Sequence, residues 1–72
     1  MKEFDIKIFS SRLRELRESK NIAQDTFALE LDLSNSSVSR WENGLQQPAI
    51  SVLFKLAQYF NVSTDYLLGL ED

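Results

Sequence analysis

The chain contains no cysteine and no histidine. Disulfides, thiol chemistry and the usual zinc sites are thereby excluded, and the commonest general base is missing. Glycine occurs twice and proline once in 72 residues. With so few breakers, an all-α chain is expected. No apolar run approaches the roughly 18 residues of a membrane span. The N-terminal "MKEFDIKIFSSR" sets acids inside what would be the apolar segment of a signal peptide. Neither a span nor a signal is read here, and a cytoplasmic setting fits. There is also no clustered carboxylate pair on one face and no phosphate-cradling glycine loop, so no enzyme is expected. No cofactor and no metal are expected either.

What is present suits one small globular domain, residues 1–72, near the lower size limit for folding without staples. Hydrophobic residues make up 43% of it, and the net charge is −3. An acidic balance argues weakly against nucleic acid, which usually meets a basic protein. The distribution matters more than the total. Lys2, Lys7, Arg12, Arg14, Arg17 and Lys20 all lie in the first 20 positions, whereas residues 63–72 carry only acids.

Five helices can be read from periodicity and caps. Asp5 can cap the first, with Phe4 placed to staple against Phe9. Ile6, Phe9, Leu13 and Leu16 then recur at spacings of three and four, which marks one buried face. The helix fades at Lys20-Asn21. "QDTFALEL" forms a short second helix with Phe27, Ala28 and Leu31 inside, and the tight link "DLS" leads to Ser34 as the next cap. Ala49 to Phe60 forms a fourth helix, with Ile50, Leu53, Ala57 and Phe60 towards the core and Phe54 also read as core. Val52, Leu56 and Tyr59 widen its apolar surface. Asn61 is a left-handed stop. Ser63 caps a last short helix, "TDYLL", closed by Gly69.

The stretch "SNSSVSRWENG", residues 34–44, resembles a loop in composition, because Ser and Asn compete with helix formation. On a helical wheel of about 100° per residue it separates cleanly. Val38 and Trp41 fall within about 60° of each other. Ser36, Ser39, Arg40 and Asn43 gather on the opposite side, with Asn35 at its edge. Such a helix has poor intrinsic propensity, so core contacts of Val38 and Trp41 must hold it. Two short helices on a tight turn, the second with an exposed polar face, describe a helix-turn-helix spanning about residues 24–43.

At this point the sequence resembles a known family. "SRLRELRESKNIAQ", "FALELDLSNSSVSRWENG", "QP", "LFKLAQYFNVS" and "DYLLG" are similar to the Cro/phage-repressor, or XRE, type of helix-turn-helix. The resemblance implies a compact five-helix lambda-repressor-like domain that binds double-stranded DNA as a homodimer, with the third helix in the major groove. It makes Asn35, Ser36, Ser39 and Arg40 candidates for base contact, which their chemistry supports: Arg suits guanine and Asn suits adenine. Gln24, Ser34, Ser37, Asn43, Gly44, Gln46 and Arg12 become candidates for phosphate contact, with capping the first role of Ser34. Arg17 and Glu42 resemble an ion pair that ties the first helix to the third.

Each sharp reading has a plainer one beside it. Trp41 is read as core and not as a stacking platform, while Arg12, Arg14 and Lys20 each have the plainer reading of a solvated helix-surface charge. Departures from the family pattern also matter. Ala23 stands where a capping Ser or Thr is common, and Asp32 where Gly is. Leu45-Gln46-Gln47 brings no cation to the phosphate-facing loop, so a shallow salt dependence is expected. The expected function is a sequence-specific regulator, a bacterial or phage repressor on a palindromic operator, with Tyr66 and Leu67 as candidate pairing residues. The alternative is a protein-interaction module of antitoxin or antagonist type, meeting a protein partner through Leu29, Leu45 and Val52.

Overall fold

A computed structural model describes all 72 residues and shows five helices and no strand. They are α1 (Ile6–Ser19), α2 (Gln24–Glu30), α3 (Asn35–Glu42), α4 (Ile50–Phe60) and α5 (Thr64–Leu68). The caps account for most of the boundaries. The carboxylate of Asp5 accepts from Lys7 N at 3.0 Å and starts α1. Ser34 Oγ accepts from Ser37 N at 3.1 Å, and Ser63 Oγ accepts from Tyr66 N at 2.9 Å. α2 lacks such help, because Ala23 offers its first amides no side-chain acceptor.

Left-handed residues end the helices. Asn21, Asp32 and Asn61 sit at φ of 55°, 56° and 54°. Asp32 makes the turn between α2 and α3, where Leu33 N donates to Ala28 O at 2.8 Å. Lys55 Nζ reaches across from α4 and donates to Leu31 O at 3.0 Å, which satisfies another carbonyl at the end of α2.

The core draws on every helix: Phe9 and Leu13, then Phe27, Ala28 and Leu31, then Val38 and Trp41, then Leu56, Ala57 and Phe60, and finally Leu67. Fully burying a side chain of the Phe or Leu class is worth about 1.5–3 kcal/mol, so this cluster is the main stabilising element. Phe27 lies edge-on to Tyr59 and tilted against Phe60, with both ring centroids 5.4 Å away.

Several sequence-based expectations need correction. Leu16 and Leu53 are half-buried at the core's margin, not inside it. Ile50 is 86% exposed and Phe54 60% exposed, while Leu56 is fully enclosed. The buried stripe of α4 runs through Leu53, Leu56, Ala57 and Phe60. Phe54 therefore lies about 60° beyond Ala57, the near margin of that stripe, and Ile50 overhangs in the first turn. Phe4 is 52% exposed and lines an apolar hollow with Phe9, Pro48, Ile50, Leu53 and Leu68.

Candidate nucleic-acid interface

The placement of α3 rests on its C-terminal end. Glu42 lies on the buried side of α3, its side chain wholly out of solvent. Its carboxylate accepts from Arg17 Nε at 2.7 Å and Arg17 Nη2 at 3.0 Å, a two-pronged pair that joins α1 to α3. Gln24 Nε2 adds a third hydrogen bond at 3.2 Å from the start of α2. One carboxylate thus ties three helices together. Hydrogen bonding to Glu42 raises the Arg17 pKa above its ordinary value, against the opposing effect of burial. Arg17 also donates to Ile22 O at 2.7 Å, which fixes the chain as it leaves α1.

Ser10 and Arg14 strengthen the same joint, and sequence reasoning missed both roles. Ser10 is buried, and its hydroxyl donates to Trp41 O at 2.6 Å. Arg14 Nη2 donates to Glu42 O at 3.2 Å and to Asn43 Oδ1 at 3.1 Å, with 44% of its side chain exposed. Ser10, Arg14 and Arg17 lie three and four apart and so share one face of α1, the one turned to α3, but only the docking of α3 gives the first two their roles.

With Val38 and Trp41 buried, α3 must turn its other side outward. Asn35, Ser36 and Arg40 are exposed and Ser39 is half-exposed. These four form a face of short polar side chains with one long cation. Arg40 Nε donates to Gln46 Oε1 at 2.7 Å. Ser34 Oγ donates to Ser37 Oγ at 2.7 Å besides capping the helix, so its own proton is spent within the chain.

Among the expected phosphate contacts, Gln24, Asn43 and Gly44 are engaged within the protein. Gln24 holds Glu42, as described. Asn43 Nδ2 donates to Ser39 O at 2.8 Å, while its oxygen accepts from Arg14. Gly44, at φ of 71°, donates its amide to Trp41 O at 3.3 Å, and Leu45 N donates to Arg40 O at 2.9 Å. Gly44 is therefore the left-handed residue of a helix stop, not a free donor. The Gln46 and Gln47 amides make no hydrogen bond within the chain. Arg12 is a correction. Its guanidinium lies 4.3 Å from the Tyr66 ring centroid and donates to Tyr66 O and to Glu71 O, which places it against α5 and the C-terminal tail. Positions 12 and 14 are about 200° apart on a helix, so only one of them can face α3. Leu67, expected at a pairing surface, is fully buried, and Val52 is half-buried against the core.

The tight turn between α2 and α3, with an outward polar face on the second helix, defines a helix-turn-helix domain. A helix-turn-helix family profile (HTH_3) matches residues 13–67, and the chain belongs to that family, the Cro/XRE type. It is 38% identical over 61 residues to the HTH-type transcriptional regulator ImmR of Bacillus subtilis, covering 85% of this chain. It spans about half the length of that relative, 48%. The restriction-modification controller protein C.AhdI of Aeromonas hydrophila has the same fold at a TM-score of 0.77 and 33% identity, covering 88% of this chain and 96% of that one. The P22 c2 repressor, solved in complex with a synthetic operator, superimposes at a TM-score of 0.82 with 28% identity, covering 89% and 97%. These relatives are a transcriptional regulator, a controller protein and a repressor, not enzymes.

Proposed function

We propose that this domain is a sequence-specific DNA-binding unit of a transcriptional repressor, which inserts α3 into the major groove of a palindromic operator. The observation that carries the reading is the two-sidedness of α3. Val38, Trp41 and Glu42 anchor it from below, so Asn35, Ser36, Ser39 and Arg40 stand together on its open side. Short side chains let the helix approach base edges closely, and Arg40 supplies a two-pronged donor for guanine. Rigid support beneath matters as much, since base reading fails when the helix can shift. The P22 c2 repressor's complex with an operator supports the same mode.

Around this face, backbone amides of Gln46 and Gln47 and the hydroxyl of Ser37 are the donors for phosphate. Arg14 brings a cation to Asn43, at the head of a loop that carries none of its own. Such contacts set register and carry little sequence information. A single domain covers limited groove surface, so two copies on half-sites one helical turn apart are expected.

The test is selection of bound duplexes from a random pool at moderate salt, with the parent chain and Arg40→Ala. A palindromic consensus that loses one defined base preference in the variant supports groove reading by Arg40. No enrichment by the folded parent refutes it and favours protein recognition through Leu29 and Leu45, which are 81% and 75% exposed.

A further inference from the structure

We propose that the side chain of Gln46 is a specificity-determining positioning residue, which grips Arg40 by its Nε edge and presents only the Nη1/Nη2 end to a base pair. The inference rests on the DNA-reading role proposed above and extends it to a residue outside the recognition helix. Arg40 Nε donates to Gln46 Oε1 at 2.7 Å, and both residues are exposed. Neither Nη1 nor Nη2 of Arg40 makes a hydrogen bond within the chain, nor does the Gln46 amide nitrogen.

The end of α3 brings the two residues together. Gly44, at φ of 71°, reverses the chain, and Leu45 N closes back onto Arg40 O at 2.9 Å. Residue 46 is thereby carried alongside the last turn of the helix it has just left. An unsupported arginine at a helix end would sample many rotamers and lose that freedom on binding. Gln46 removes part of this freedom in advance.

The choice of edge also has a consequence. A guanidinium can offer two donors from its Nε/Nη2 side or from its Nη1/Nη2 end, and guanine accepts both prongs on O6 and N7. With Nε occupied, only the end remains. A glutamine suits the task better than an acid. It holds Arg40 without neutralising it, and its own amide hydrogens stay available to a phosphate beside the groove. A glutamate would grip Arg40 as well but would set like charge against the DNA backbone.

The whole chain and its Gln46→Ala, Gln46→Glu and Arg40→Ala variants are titrated with the duplex the parent selects. A second duplex carries a change at the Arg40-dependent base pair, and a third is unrelated in sequence. A good two-pronged contact discriminates by about 5- to 150-fold. Gln46→Ala should lower that ratio at least about threefold, with the loss of its own phosphate contact weakening the unrelated duplex less than the selected one. Gln46→Glu should keep the ratio and bind all three duplexes more weakly. Adding Gln46→Ala to Arg40→Ala should change the ratio no further. In the free protein, the Arg40 Nε–H resonance should move in Gln46→Ala and not return to the free-arginine position in Gln46→Glu.

An unchanged ratio in Gln46→Ala overturns the proposal, as does an equal loss on every duplex, which would make Gln46 a phosphate contact alone. Tighter binding to the consensus by Gln46→Ala overturns it too, because Gln46 would then be holding Arg40 back from the groove. A parent consensus without any Arg40-dependent base pair is a different failure. It sinks the groove-reading proposal itself, and the role of Gln46 with it.

Discussion

Replacing Glu42 by Gln is the most searching test of how this domain holds its third helix. The exchange preserves size and one acceptor oxygen, so little packing is lost. Its cost comes from the donors facing it. Glu42 Oε2 accepts from Arg17 Nε, while Oε1 accepts from Arg17 Nη2 and Gln24 Nε2. Whichever way a glutamine amide is turned, its NH2 group meets at least one N–H donor of Arg17. The guanidinium, with 13% of its side chain exposed, also keeps its charge without the carboxylate that is hydrogen-bonded to it. Breaking a buried pair in this way typically costs about 3–5 kcal/mol.

That figure is large beside the whole. A chain of this length is expected to be stable by about 4–11 kcal/mol, from roughly 0.05–0.15 kcal/mol per residue. Urea unfolding followed by Trp41 fluorescence is a suitable assay, because Trp41 is the only tryptophan and is 5% exposed. With a urea slope of about 1–1.5 kcal/mol/M for a small domain, the midpoint should fall by roughly 2 M or more. Arg17→Met combined with Glu42→Met should recover much of the loss, since an apolar pair of similar volume often replaces a buried ion pair at little cost. A Glu42→Gln protein within about 1 kcal/mol of the parent would refute the reasoning, because no uncompensated buried charge could then be present.

Two further substitutions act on the weak points of the helix-turn-helix itself. Ala23→Ser should supply the acceptor that the first turn of α2 lacks and raise stability by about 1 kcal/mol, visible as a higher urea midpoint. Asp32→Gly should relieve part of the roughly 1–2 kcal/mol strain of a left-handed residue at φ of 56°, less the entropy of a freer unfolded chain. The expected net gain is up to about 1 kcal/mol by thermal unfolding, and a destabilised variant would show that the Asp32 side chain contributes a contact of its own.

The extent to which sequence revealed this molecule follows the range of the interactions involved. Caps and stops act within one turn, so Asp5, Ser34, Asn61, Ser63 and Gly69 could be read as helix ends, and the structure has them there. Periodicity identified the buried side of α1 and α3, where apolar and polar residues separate cleanly. It misjudged α4, where Ile50, Val52, Leu53, Phe54, Leu56 and Tyr59 leave almost no polar face to set the angle. There the rotation is decided by what lies opposite, and Leu56, not Ile50, finds the enclosed place.

The candidate site divides along the same line. The open face of α3 could be read from the chain because Val38 and Trp41 fix its opposite side. The roles of Arg12 and Arg14 could not, since two exposed arginines on one helix are equivalent until α3 and α5 dock on different sides of it. Ser10 and Gln46 were hidden for a related reason. A small hydroxyl and a neutral amide carry no pattern of their own. They acquire a role only when the left-handed turn at Gly44 places the end of α3 against one and beside the other. On the proposed reading, specificity depends on a turn outside α3 as much as on α3 itself.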